Sequence, residues 1–465
     1  MNSQTNILFL FTDDQRFDTI NAVGNEAIST PHMDRLVSSG VCFTRAHIPG
    51  GTSEAICMPS RAMLHTGRSL FRLEGDGESI PPNHATMGEV FGSAGYRTFG
   101  TGKWHNGPDS FNRSFAEGDE IFFGGMADHW NVPAFHYDPT GVYGSELPIC
   151  EDPQSSNHIT RRPADHIESG VHSSELIADS LISFLSEVPA AEPFFAYAAF
   201  LAPHDPRTMP ERFRTMYNPE SIVLPPNFMT AHPFDNGELH VRDELLAGFP
   251  RTHAEARRHI AEYFAMISHL DFEIGRVLDL LEERNLTKST LIVLAGDNGL
   301  AVGQHGLLGK QSCYEHSVRV PLILSGPGVQ NASRDESLFL YDIFPTLCEY
   351  AGVEAPESVE GRSFLSLLRG EPESYEERDK LYFAYKDKHR AVKSDRFKLI
   401  EYAVDGGHAA TQLFDLADDP WEMKNLAETN PAVRDRLRKD LVELSKSTGD
   451  RSSSWGRTFW DCVAF

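Results

Sequence analysis

The stretch NILFLFTDD (Asn6–Asp14) sets an unbroken apolar run directly against two carboxylates. Five consecutive β-prone apolar residues do not alternate, so such a strand must be buried on both faces. That is the condition of a parallel sheet covered by helices. The same form recurs three times. YRTFGTG (96–102) runs into Lys103-Trp104-His105, PFFAYAAFLAP (193–203) into His204, and STLIVLAG (289–296) into Asp297-Asn298. Each polar group follows the carboxyl end of its strand, the edge at which open α/β sheets bind ligands. Four separate stretches are therefore expected to converge on one site.

Helical spacing fills the intervals. From about His253 to Arg284, Ile260, Phe264, Ile267, Leu270, Ile274, Leu278 and Leu281 fall on one stripe, and shorter helices are expected over Ser173–Glu187 and Asp342–Tyr350. The expected fold is α/β: a large mixed, mostly parallel sheet flanked by helices. Residues 106–170 and 203–252 lack periodicity and are rich in Gly, Pro, His and aromatics, so they are expected as ordered pocket walls. After about Ser374 the texture changes to short antiparallel candidates (KLYFAYK, HRAVKS, RFKLIEY, TQLFDL), followed by a helix that starts near Pro431. The expected organisation is a catalytic domain over 1–374 and a smaller C-terminal α+β domain with an antiparallel sheet over 375–465.

A chain of 465 residues with 40% hydrophobic and 23% charged content can bury a large core without staples. Its six cysteines are scattered without a C-x-x-C pair, which argues against a disulfide framework or a cysteine zinc site. A net charge of -25 excludes general binding to nucleic acid or anionic membranes. An anionic substrate must then be held by a local cationic cluster working against the average field. The start of the chain reads as a first strand, not a signal peptide, so the expected location is the cytoplasm, or the periplasm or exterior if a leader precedes this sequence.

CMPSRAMLHTGR (Cys57–Arg68) raises a separate question, since Cys57 could be a core thiol, half of a disulfide, a metal ligand or the precursor of something more reactive. Asp13-Asp14 and Asp297-Asn298 each have an ordinary use as a turn or cap. Brought together, they offer three carboxylates and an amide oxygen, a hard set suited to Ca²⁺, less well to Mg²⁺, and not to zinc. Arg61, Lys103, His105, His204 and Lys310 each have a surface or helix-end use when taken singly. Converged beside a divalent cation, they describe a pocket for a tetrahedral oxyanion or its ester.

These stretches resemble the type I sulfatases, of the alkaline phosphatase superfamily. CMPSRAMLHTGR is similar to their first signature, C-x-P-S-R followed by T-G-R. GYRTFGTGKWH (Gly95–His105) is similar to the second, G-Y-x-T-x-x-x-G-K-x-H. TDDQ, PHDP, GDNG with GQHGLLGK, and the later LFDLADDPWEMKNLA match further motifs in the family's order, so the resemblance runs from Asn6 to about Ala427.

The resemblance implies that a maturation enzyme oxidises Cys57 to Cα-formylglycine, whose hydrated gem-diol is the nucleophile. One hydroxyl takes the sulfate, and deprotonating the other expels it by C–O cleavage and restores the aldehyde. It further implies that Asp13, Asp14, Asp297, Asn298 and the modified Cys57 hold Ca²⁺. Arg61 and Lys103 would orient the diol, His105 would be the base for elimination, and His204 and Lys310 would grip the sulfate, with His204 favoured as the acid.

The expected activity is hydrolysis of a sulfate monoester, and a carbohydrate sulfate is favoured because Asp128, His129, Trp130 and nearby tyrosines offer stacking and hydrogen bonds together. His305, His129 and Trp130 are the expected substrate contacts. A phosphate ester or phosphonate hydrolase of the same superfamily is the rival, and a non-catalytic homologue with an unmodified Cys57 is a second.

Overall fold

The computed structural model describes residues 4–463 except 151 and 153. The first strand, Asn6–Thr12, is buried throughout. Its side chains divide by parity. Ile7, Phe9 and Phe11 enter one core with Met63, Leu64, Met87 and Phe91, while Leu8 and Leu10 enter another with Ile177, Leu181, Phe264 and Ile267. Two cores on opposite faces of one strand are what an apolar run without alternation requires.

That strand is near the centre of an eight-stranded sheet. From one edge the order is Ala332–Arg334, Val41–Phe43, Leu322–Ser325, Thr290–Gly296, Asn6–Thr12, Phe194–Ala199, Arg97–Lys103 and Glu117–Phe122. Among these, Leu322–Ser325 runs against both of its neighbours, and the remaining ladders are parallel. The four strands singled out in sequence are consecutive, with Thr12 opposite Gly296 and Gly102 opposite Ala199. Their carboxyl ends therefore lie side by side.

The helix His253–Glu283 starts where the Thr252 hydroxyl accepts the Glu255 N–H, and it packs its apolar stripe on one sheet face beside Ser173–Glu187. No described helix is long and apolar enough to cross a membrane. Residues 106–170 do contain regular structure: a helix at Pro108–Ser114, the edge strand Glu117–Phe122 and a hairpin of Glu146–Ile149 with Thr160–Pro163.

A second sheet has five strands, ordered Gly407–Asp415, Phe397–Val404, His389–Lys393, Leu381–Tyr385 and Gly50–Gly51. Its last member comes from the N-terminal part of the chain and pairs Gly50 with Ala384 and Gly51 with Tyr385. A Cβ at Gly50, which has a φ of +102°, would come within 2.0 Å of the Ala384 carbonyl oxygen. Only a glycine allows that approach. The larger core runs across both sheets, joining Phe9 and Phe11 to Phe383, Tyr385 and Leu399.

Candidate active site

Six residues after that Gly-Gly pair the chain turns into the helix Cys57–Thr66, with Cys57 in its first turn. The positive dipole end of this helix therefore lies at position 57, although Pro59 has no N–H and the N–H groups of Ile56 and Met58 are taken by the Glu54 and Ala55 carbonyls. The helix carries Ser60 and Arg61 inward on its next residues, and both are buried. Arg61 Nε donates to Asp297 Oδ2 at 3.0 Å and Nη1 to the Lys103 carbonyl at 2.7 Å, tying the helix to two strand ends.

Lys103 closes its strand after a register shift at Thr101/Gly102. Gly102 has a φ of +83°, and a Cβ there would lie 2.1 Å from the Ala199 oxygen, so the shift depends on glycine. Beyond it, Lys103 Nζ donates to Cys57 Sγ at 3.4 Å and also pairs with Asp13. His105 Nδ1 is 3.5 Å from the same sulfur. His105 and Asp14 both hold left-handed backbone, with φ of 68° and 63°. Strain at two neighbouring non-glycine positions marks a site where side-chain placement overrides backbone preference.

Asp14 is the hub of the other half. Its backbone N–H donates to Asp297 Oδ1 at 3.0 Å, and its Oδ1 accepts Asn298 Nδ2 at 2.7 Å and Lys310 Nζ at 2.6 Å. His204 Nε2 lies 3.6 Å from Asp14 Oδ2. Two triads, Asp13-Asp14-His204 and Asp13-Cys57-Asp297, each bring their ligand atoms within 4.8 Å of one another.

Buried as they are, Asp13 Oδ1 and Asn298 Oδ1 have no hydrogen-bond partner among the described residues. A buried oxygen without a donor is costly, and hard oxygens facing one spot are what a cation satisfies. Burial, then the Asp13 carboxylate, pushes Asp297 up to about 7. Burial also acts to raise Asp13, but Lys103, His204, Arg61 and Lys310 outweigh it and hold that carboxyl far below its ordinary range. The donor set fits a hard divalent cation.

Burial and then Lys103 and Arg61 hold His105 well below its ordinary value, so its imidazole is neutral. Burial acts to lower Lys310, but Asp14 and further anionic groups outweigh it and drive its ammonium well above the usual value. Burial raises the Cys57 thiol despite Lys103 and Lys310. A thiol held protonated is a poor nucleophile.

The three expected substrate contacts are each engaged by other residues of the protein. His129 is buried, and both ring nitrogens are engaged: Nε2 faces the His204 carbonyl at 3.0 Å and Nδ1 faces Ser173 Oγ at 2.6 Å. It has no ring nitrogen left for a ligand and instead fixes the backbone of His204. Trp130, half-buried, packs edge-on against His172 at 5.1 Å. His305 stacks on Tyr314 at 4.0 Å, with Nε2 3.1 Å from Asn227 Nδ2. Within the 106–170 segment, Gly125 lies close against the His105 ring.

Sequence reasoning missed the supports. Glu244 accepts the N–H groups of Leu308 (3.0 Å) and Gly309 (2.8 Å) and pairs with Arg251, clamping the loop that carries Lys310. Arg242 grips Asp205, the neighbour of His204. Both come from 203–252, where nothing in the pattern pointed to them; the Asp in PHDP was the one signal.

A mixed sheet bearing this oxyanion pocket at its carboxyl edge defines a hydrolase of the alkaline-phosphatase-like fold. Residues 5–353 match the sulfatase family model and residues 303–447 the model for the C-terminal part of N-sulphoglucosamine sulphohydrolase. The chain belongs to the sulfatase family and is a sulfuric ester hydrolase. It is 27% identical to an arylsulfatase of Clostridium perfringens, covering 94% of each chain. It is 24% identical to an N-acetylglucosamine-6-O-sulfatase of Bacteroides thetaiotaomicron, covering 95% of this chain and 86% of that one. A structure solved in complex with D-glucosamine-2-N,6-O-disulfate superposes with a TM-score of 0.77 at 21% identity, covering 97% of this chain and 99% of the other.

Proposed function

We propose that this protein releases sulfate from a sulfated carbohydrate, using a formylglycine formed from Cys57 beside a bound Ca²⁺. The observation that carries the reading is the position of Cys57 Sγ, 3.4 Å from Lys103 Nζ and 3.5 Å from His105 Nδ1. The sulfur stands in for a hydroxyl oxygen of the hydrated aldehyde. Asp13, Asp14, Asp297, Asn298 and residue 57 would hold the cation, which supplies Lewis-acid polarisation of a sulfate oxygen and lowers the pKa of the hydroxyl.

The chain's own groups divide the remaining work. Lys103 and Arg61 orient residue 57 and offset the charge that develops on it. Neutral His105 is placed to take a proton from the hydroxyl that expels sulfate. Lys310, held protonated by Asp14, serves as a fixed cation for sulfate oxygens. That leaves His204, on the far side of Asp14, to protonate the departing alcohol oxygen. The carbohydrate reading is supported by the sugar sulfohydrolase family model over 303–447 and by the glucosamine-sulfate relatives.

The test joins mass and turnover. Protein made with the maturation enzyme should carry a residue 57 peptide about 18 Da lighter than the cysteine form. It should release sulfate from sulfated sugars faster than it hydrolyses matched phosphate esters or phosphonate monoesters. Full activity with an unaltered thiol would falsify the formylglycine assignment, and a preference for phosphorus esters would replace the substrate class.

A further inference from the structure

Tyr263 belongs to the helix His253–Glu283 and is fully buried. Its hydroxyl donates to the Asp14 carbonyl at 2.6 Å and accepts the Arg16 N–H at 2.8 Å. One oxygen thus joins the two peptide groups on either side of Gln15. It stands where a direct bond between residues two apart would close a γ-turn, and it satisfies both groups. The ring is held as well, with the Arg16 and Arg207 guanidinium carbons over it at 5.8 and 5.9 Å. Arg207 lies three residues past His204, so a single helix side chain meets the Asp14 loop and the His204 loop.

Asp14 is the residue that this arrangement fixes. Its φ of 63° is a left-handed value that a non-glycine residue keeps only where its surroundings impose it. Its N–H is taken by Asp297, and its Oδ1 by Asn298 and Lys310. Those three partners belong to the pocket itself. Among the described residues the carbonyl bonds to Tyr263 alone, which comes from the scaffold beneath. Oδ2 accepts no hydrogen bond among the described residues and lies 3.6 Å from His204 Nε2. It is the oxygen left for a cation.

A phenyl ring would fill the same space, so packing does not explain the hydroxyl. The two buried backbone groups do, since a bare acceptor and a bare donor each cost free energy and a hydroxyl serves both. We infer that Tyr263 is a positioning residue, whose hydroxyl locks Asp14 in its left-handed conformation and thereby sets the calcium affinity of the site. The inference rests on the reading of Asp14 as a cation ligand. Without the hydroxyl the Asp14–Gln15 peptide is free to turn, and the carboxylate can leave its place beside Asp297 and Asn298.

The test compares the formylglycine-carrying enzyme with its Tyr263→Phe variant, which keeps the ring and loses only the hydroxyl. After both are stripped with chelator, Ca²⁺ titration by calorimetry should give the variant a Kd about tenfold or more above wild type, the size of a coupling between linked equilibria. Sulfate release from 4-nitrophenyl sulfate, measured across a calcium series, should show its midpoint displaced upward by the same factor. A merely structural Tyr263 would lower Tm and leave both the Kd and that midpoint in place. That result overturns the inference while the cation reading stands.

A second measurement on wild type does not depend on the variant folding. Coupling is reciprocal, so calcium must strengthen the lock that strengthens its own binding. Hydrogen exchange at the Arg16 amide, the donor to Tyr263, should slow about tenfold or more when saturating Ca²⁺ is added, and by more than at the outer strand Gly407–Asp415. An Arg16 amide that calcium slows no more than that strand overturns the inference. Wild type that binds no Ca²⁺ overturns the cation reading itself.

Discussion

His129 shows how a residue can serve catalysis without touching substrate. Its Nε2 holds the His204 carbonyl from behind. His129→Phe leaves that buried carbonyl without a donor, which should cost about 1–3 kcal/mol and lower kcat on alkyl sulfates. His129→Gln, with an amide N–H in reach, should recover much of the kcat, whereas a purely volumetric role would be served better by Phe. Asp297→Asn tests the cation set. It removes one of the charges facing the unpartnered oxygens of Asp13 and Asn298, and Ca²⁺ affinity by titration calorimetry should fall about tenfold or more.

At the scale of single elements, the placement of Lys103 and His105 depends on the shift at Gly102. Gly102→Ala forces a Cβ against the Ala199 oxygen in a left-handed backbone position. The loss should exceed about 3 kcal/mol, seen as a large fall in Tm or in soluble yield. The Glu244 clamp gives a complementary case. Glu244→Ala frees the Leu308 and Gly309 N–H groups and strands Arg251, so stability should fall by about 3–5 kcal/mol and kcat with it, through the displaced Lys310 loop.

The same scale shows what the sequence could carry. Strands buried on both faces announce themselves as apolar runs, so the four that deliver Asp13, Lys103, His204 and Asp297 were readable, and their polar ends named the site. The helix Ser173–Glu187 was readable from its spacing and begins where it was expected, capped by His172. The edge strand Glu117–Phe122 was not, because half of it is only partly buried and its EGDEIF pattern resembles a loop. His129 and Glu244 were opaque for a different reason: they act on backbone groups brought near by the fold, and no local spacing encodes a hydrogen bond across 75 residues.

On the scale of the whole molecule, the acidic pocket should make the holoenzyme's stability depend on its cation. Adding Ca²⁺ at about a hundred times its Kd to chelator-treated protein should stabilise it by about 2.7 kcal/mol, read as a rise in Tm. An unchanged Tm would show that the carboxylates are satisfied by Lys103, Arg61 and Lys310 alone. The two sheets share one core, and the second takes a strand from the N-terminal part of the chain, so a chain ending at residue 374 should not fold independently. It loses the partners of Gly50–Gly51 and bares His47 and Phe339, on which Phe383 packs.

That N-terminal strand of the second sheet also bears on timing. Gly50–Gly51 enters the nascent polypeptide early, yet its hydrogen-bonding partner Ala384–Tyr385 emerges from the ribosome more than 330 residues later. Until then Gly50–Gly51 lacks the strand it pairs with. The thiol is only 2% exposed once folding is complete, so the oxidation proposed for it would have to come before that pairing. Late closure would thus leave room for the proposed chemical editing that the finished globule, with this side chain buried, would hinder.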